Sequence, residues 1–311
     1  MSGAIDLHVD TLSRLLTAGG SFQGAREDLA IDLPRARAGE VAAICGACFV
    51  ADVQEEPRAE VRKMLALLDQ LDADREVALE KVTSPAELES LPADRLGVIP
   101  TIENARSLEG SIETLEEFAA AGVAFLGVTW NGANELATGC RVDETTGLTA
   151  FGREAIQRAA ALGLAIDISH LNRAGVAEVL RLDVPMLATH SNARALHEHT
   201  RNLDDDQLEA LREVDGLVGL NLYPPFLGAP PVTLATFVDH ARHIADRLGV
   251  ERIALGSDLD GIDETPESFT DYRDLPALRA ALRTGGFAAE EIDGMFGGNF
   301  RRWWRKQRGG G

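Results

Sequence analysis

Three of the seven histidines in this chain, and several of its carboxylates, stand where short apolar runs end. His8 comes two residues before Asp10, at the end of Ala4-Ile-Asp-Leu-His-Val-Asp10. In extended backbone, residues i and i+2 face the same way, so this imidazole and carboxylate project together. That is one way two protein ligands reach a zinc-like ion. Pro100-Thr-Ile-Glu103, Ile166-Asp-Ile-Ser-His170, Ala188-Thr-His190 and Leu255-Gly-Ser-Asp258-Leu-Asp260-Gly261 end in the same manner.

Each of these groups alone has a plain explanation. A histidine at a strand end is commonly a satisfied hydrogen-bonding residue, and a strand-end Asp or Glu often caps the next helix. The joint occurrence points to a metal site. His8, Asp10, Glu103, His170 and His190 make five protein ligands, whereas a single catalytic zinc usually takes three and keeps one position open. The set therefore suits two divalent ions, with Glu103 able to bridge cations roughly 3.5–4 Å apart and a hydroxide between them as nucleophile. Asp258 is left over as a proton shuttle.

Stepping outward, these residues need a scaffold that brings strand ends together. Apolar runs at 4–10, 41–49, 96–103, 123–130, 164–170, 185–190, 217–223 and 252–258 read as eight strands buried on both faces. Helical patterns separate them at 60–72, 111–122, 151–163, 172–182, 204–214, 233–249 and 275–286, and a last helix is expected over 288–306. Glycines at 122, 163 and 249 suit helix C-termini. Eight strand–helix units predict an α/β fold, a (β/α)8 TIM-type barrel read as one domain over residues 1–311. In such barrels the active site lies at the C-terminal ends of the strands, where the candidate ligands fall. A doubly wound sheet is the runner-up, but no G-x-G-x-x-G follows the first run. The segment 19–39 lacks clear periodicity and is expected to wrap the outside or the mouth of the barrel.

A net charge of −20 argues against nucleic acid and anionic membrane surfaces as partners. Cys45-Gly-Ala-Cys48 sits in a buried-strand composition, so small apolar core cysteines are expected rather than a redox pair. An odd cysteine count, no signal-peptide pattern and no apolar run of membrane-span length predict a cytoplasmic protein.

Taken together, these motifs resemble the membrane dipeptidase (renal dipeptidase) family, peptidase family M19, among the amidohydrolase-like metal-dependent barrels. The resemblance runs from Asp6-Leu-His-Val-Asp10 to Gly298-Asn-Phe-Arg301. It includes Asp32-Leu-Pro-Arg35, Leu126-Gly-Val-Thr-Trp-Asn131, Gly147-Leu-Thr-Ala-Phe-Gly152, Thr189-His-Ser-Asn-Ala193 and Arg201-Asn202. It implies that His8 and Asp10 bind one zinc, that His170 and His190 bind the other, and that Glu103 bridges them. It implies further that Asp258 is the acid/base residue, that Arg201 holds the free carboxylate of a dipeptide, and that Tyr223 lines the substrate pocket. From the residues alone, Arg201 equally reads as a solvated loop arginine beside Asp204 to Asp206, and Tyr223 as core packing.

Dipeptidases of the mammalian type carry a histidine where this chain has Trp130, within Thr129-Trp130-Asn131. Trp130 offers an indole donor and bulk, and Asn131 a polar contact. The leading expectation is a two-zinc dipeptidase that tolerates a D-configured or dehydro C-terminal residue and forms a homodimer. Hydrolysis of N-acyl amino acids, lactams or other small amides is the alternative, and an inert metal-binding barrel is a third reading.

Overall fold

The computed structural model describes residues 3–19 and 22–309. Nine parallel strands form the sheet: β1 (Ala4–Val9), β2 (Val41–Phe49), β3 (Leu79–Lys81), β4 (Leu96–Glu103), β5 (Phe125–Gly127), β6 (Ala165–Asp167), β7 (Met186–Ala188), β8 (Leu217–Leu220) and β9 (Ile253–Leu255). Eight of them close a barrel in the order β1-β2-β4-β5-β6-β7-β8-β9, with β9 pairing back onto β1. Helices connect successive strands, so the architecture is the (β/α)8 barrel.

The eight barrel strands are the expected eight, and β3 is an additional strand outside the barrel. β3 pairs with the start of β4, Leu79 opposite Leu96, whereas β5 pairs with its end, Thr101 opposite Phe125. One edge of β4 thus serves two partners in succession. Three residues are too few to show a periodicity, which is why this strand was not expected from sequence.

Several barrel strands are shorter than their apolar runs. The run 164–170 contributes only Ala165–Asp167, and 252–258 only Ile253–Leu255. The remaining residues leave the ladder and turn towards the barrel mouth. His170 and Asp258 do so with left-handed backbone, at φ +66° and +67°. Non-glycine residues hold this conformation at a cost, and it often occurs at functional sites.

Local chemistry sets many helix starts. Ser111 Oγ accepts from the Thr114 N–H, and the side chains of Thr149, Asn172 and Asp204 cap their helices in the same way. The last expected helix is broken. Ala289–Asp293 and Asn299–Gln307 flank a turn at Gly294–Gly298, where Gly297 takes φ +137° against Ile5. Phe300, Trp303 and Trp304 of the final helix pack with Ile5, Leu7, Ile99, Phe125 and Leu187 as a plug under the barrel. The segment 19–39 contains a short helix, Leu33–Ala38, capped by Asp32; Gly20 and Ser21 lie outside the described residues. It is tied to the mouth because the Ala30 N–H donates to Asp260 Oδ1 at 2.6 Å.

Cys45, Cys48 and Cys140 are buried and unbridged, and burial pushes the Cys48 thiol up to about 12. Among the described residues no helix is long and apolar enough to cross a membrane.

Candidate metal centre

At the mouth of the barrel the structure brings together all five candidate ligands and Asp258. His8 lies on β1, and Asp10 directly follows that strand. Glu103 ends β4, and His170, His190 and Asp258 lie just past β6, β7 and β9. Asp10 occupies the N-cap position of Thr11–Ala18, yet its side chain makes no capping hydrogen bond. Its Oδ1 is buried without a partner among the described residues. A buried carboxylate oxygen with no donor calls for a counter-charge.

The donors fall into two groups that share Glu103. Ligand atoms of His8, Asp10 and Glu103 lie within 4.8 Å of one another, as do those of Glu103, His170 and His190. Glu103 turns Oε2 to His8 Nε2 at 3.2 Å and Oε1 to His170 Nε2 at 3.1 Å. One carboxylate therefore offers an oxygen to each group, as a bridging ligand must.

Hydrogen bonds fix which nitrogen each imidazole presents. The Thr189 hydroxyl donates to Asp167 Oδ2 at 2.5 Å, which leaves its oxygen as an acceptor. That oxygen lies 3.1 Å from His8 Nδ1 and 2.8 Å from His190 Nδ1. His170 Nδ1 lies 3.2 Å from Asn131 Oδ1, an acceptor. All three rings thus point Nδ1–H at an acceptor and turn Nε2 to the site, and the neutral rings of His170 and His190 keep a lone pair there. Nε2 of His170 and of His190 then face each other at 3.0 Å. Two lone pairs at that distance repel unless a cation lies between them, so the donor set fits a divalent metal.

The electrostatics agree. Burial and the positive charge of Arg201 drive the His170 pKa far below the ordinary imidazole value; burial and the charge on His8 do the same at His190. Both are neutral donors at physiological pH. Burial opposes protonation of His8, but Glu103 and Asp10 outweigh it and hold its pKa well above the ordinary value. Burial also raises the Glu103 pKa, against the charge of His8. These carboxylates attract positive charge strongly, which is the field a cation meets on entering.

Asp258 stands on the open side, within 4.8 Å of donor atoms of His8 and His190. Burial raises its pKa to about 7; His8 opposes this, Asp10 and Glu103 reinforce it, and a hydrogen bond from Asn221 Nδ2 at 2.8 Å opposes it. Gly261 packs over both carboxylates, where a Cβ would collide with Asp10 Oδ2 and crowd Asp258 Oδ1.

A cavity of about 700 Å³ opens above this floor and is walled by Phe49, Trp130, Asn131, Tyr223 and Phe226. Such a volume holds a small ligand. Trp130 meets Phe49 edge-on at 5.1 Å between ring centroids and gives the wall an apolar face. Tyr223 is half-buried on the cavity wall. Asn131 was expected to offer a polar contact to substrate; it lines the cavity, while its Oδ1 is the partner of His170. Arg201 is not on the wall of the large cavity. It lies beside the ligand shell, donating Nη2 to the His190 carbonyl at 2.8 Å and stacked 5.3 Å over Phe226, a residue of the cavity wall, with its buried Nε without a partner among the described residues.

Sequence reasoning passed over Asp6, Asp167, Thr189 and Asn221. Asp6 accepts from the backbone N–H of His8 and Ser257 and from the Tyr272 hydroxyl, which ties the ligand-bearing end of β1 to the loop after β9. Asp6, Asp167 and Thr189 stand inside the quoted motifs, but no periodicity marks a residue whose partner is another side chain.

Known proteins resemble this chain in sequence and fold. A family-wide sequence profile, Membrane dipeptidase (Peptidase family M19), matches residues 2–309. An uncharacterised protein encoded in the pqqA 5′ region of Klebsiella pneumoniae is 36% identical over 256 residues, spanning 78% of this chain and 93% of that one. Dipeptidase aclJ of Aspergillus oryzae is 30% identical over 67% of this chain, which spans only 51% of its length. A metallopeptidase from Rhodobacter sphaeroides, solved with a phosphinate mimic of the dipeptide L-Ala-D-Ala, superposes with a TM-score of 0.92 at 28% identity, covering 98% of this chain and 99% of that one. A barrel with a shared-carboxylate cluster of metal donors at its mouth, matched along nearly its whole length, places the chain in the membrane dipeptidase family, peptidase family M19, whose members are metal-dependent peptide-bond hydrolases.

Proposed function

We propose that this protein is a two-zinc dipeptidase, cleaving the amide bond of dipeptides that include those with a D-configured or dehydro C-terminal residue. The observation that carries the reading is the pair of donor groups joined through Glu103 beneath a cavity of dipeptide size. His8, Asp10 and Glu103 would hold one cation, and Glu103, His170 and His190 the other. When bound, the pair supplies Lewis acidity and makes water ionise near neutral pH.

The chain's own residues do the rest. Asn221 holds Asp258 by Oδ2, so Oδ1 is the oxygen that takes a proton from the attacking water and returns it to the departing amine. A carboxyl that titrates near 7 is suited to both transfers. Arg201 offers an unpartnered Nε beside the ligand shell, and a substrate carboxylate would satisfy that donor. Trp130 and Phe49 pack against the substrate and keep water from the scissile bond.

The Trp130 wall also favours a second reading, hydrolysis of N-acyl amino acids, whose acyl chain would lie on the indole face.

Metal content per chain, measured together with hydrolysis of a mixed L,L- and L,D-dipeptide library, tests the first reading. About two zinc ions with dipeptide turnover is the expected result. Turnover confined to N-acyl amino acids would replace it with the second, and protein that takes up no divalent metal would sink both.

A further inference from the structure

Arg141 is a cation that the cavity leaves uncommitted. Its exposed side chain lines the cavity that contains Glu103, His170 and Asp258. Its backbone N–H donates to the Asn131 carbonyl at 3.2 Å, but no acceptor among the described residues meets its guanidinium. Arg14, the other arginine of this cavity, donates Nε to the Asp260 carbonyl at 2.9 Å. Three acids of the cavity wall have other partners: Asp258 has Asn221, Asp260 has Thr11 and the Ala30 N–H, and Asp263 sits beside Tyr223.

The backbone that carries Arg141 is held in place. The Cys140 N–H donates to the His170 carbonyl at 2.8 Å, and the Gly139 N–H to the Gly132 carbonyl at 2.8 Å. A Cβ on Gly139 would overlap the Trp130 carbonyl, so the loop is packed against the wall at this point. The Arg141 backbone is therefore fixed relative to a candidate metal ligand, and its side chain reaches into the cavity from that anchored point. Arg141 and Arg201 both lie near enough to His170 and to His199 for their positive charges to act on the two rings.

We propose that Arg141 is a specificity residue that binds a side-chain carboxylate on the residue following the scissile amide, so that dipeptides ending in Asp or Glu are preferred substrates. The inference rests on the dipeptidase reading, with Arg201 taking the terminal carboxylate and Arg141 the second one. A guanidinium fork matches a carboxylate in two parallel hydrogen bonds, which an uncharged amide cannot reproduce.

The test compares kcat/KM for L-Ala-D-Asp against L-Ala-D-Asn and for L-Ala-D-Glu against L-Ala-D-Gln, with the L,L pairs alongside and L-Ala-D-Ala as neutral reference. Each pair differs in charge but hardly in size. The wild type should favour the acid by about tenfold or more, mainly through KM. Arg141→Gln should bring the ratio close to one, and Arg141→Lys should keep part of it, because a point charge replaces the fork. Hydrolysis of L-Ala-D-Ala with no preference for acid over amide would overturn this proposal and leave the dipeptidase reading standing. So would a preference that survives Arg141→Gln. A wild type inert towards every dipeptide would remove the dipeptidase reading and this proposal together.

Discussion

Thr189 and Asp167 are joined by a 2.5 Å hydrogen bond, and it turns the threonine hydroxyl into a shared acceptor for two metal-site histidines. His8 belongs to one donor group and His190 to the other, yet both direct Nδ1 at the same oxygen. Removing that oxygen should therefore loosen both groups at once. Thr189→Val keeps the shape and deletes the acceptor. Partners of this kind typically contribute 10- to 100-fold in metal affinity. Titration of apo-protein with zinc against a chelating dye should show both binding steps weakened, with Thr189→Ser restoring them. Weakening of one step alone would mean that the histidines do not depend on a common support.

Gly261 makes a narrower prediction. A Cβ at this position would press on Asp10 Oδ2 first and on Asp258 Oδ1 second. Both are ends of side chains, so Gly261→Ala should fold, at the cost of moving Asp10 away from its donor group. Zinc should then be lost preferentially from the group of His8, Asp10 and Glu103, giving close to one tightly held ion per chain. Two equally tight ions in the variant would show that Asp10 accommodates the methyl group without leaving its place.

Asp258→Asn preserves size and can still accept from Asn221, but it cannot carry a proton. Its metal content should match the wild type, while kcat on a dipeptide falls by roughly 10²–10⁴, the usual contribution of a positioned acid/base group. Measuring metal alongside kcat separates this from a ligand role, because Asp258 also lies near donor atoms of His8 and His190. Loss of a metal ion together with activity would assign Asp258 to the ligand set.

The chemistry was more legible in the sequence than the supports that aim it. Ligand types at the ends of apolar runs mark themselves, because a strand terminates where its polar residues begin; the candidate ligands His8, Asp10, Glu103, His170 and His190 stand out in that way. Thr189 and His8 stand 181 positions apart and meet only once the chain is folded into register, and no local pattern predicts such a pair. The overlong strands have a related cause. Residues such as Ile168 are apolar and buried but lie past the ladder, in the turn that sets His170 at φ +66°. β3 was too short to announce itself, and the break at Gly297 lay inside a stretch whose helical pattern is strong on both sides.

A last prediction concerns stability against acid, away from the ligands. His240, on the helix Leu234–Leu248, accepts from the Ala193 N–H at Nδ1 and donates from Nε2 to the Leu227 carbonyl. Burial disfavours the charged ring and outweighs the Leu227 carbonyl, which favours it, so the pKa falls to about 4 from the ordinary 6.5; protonating Nδ1 would also set a donor against the Ala193 N–H. The folded state thus binds this proton less readily than the unfolded chain. Its contribution is fully present above pH 6.5 and is lost as pH falls through 4, a change of about 3 kcal/mol. His240→Gln can keep both hydrogen bonds and does not titrate. Urea unfolding at a series of pH values between 7 and 4 should show the wild type losing about 3 kcal/mol more than the variant over that interval. The loss should begin below pH 6.5, and parallel curves would mean that His240 takes up its proton as readily in the fold as in the unfolded chain.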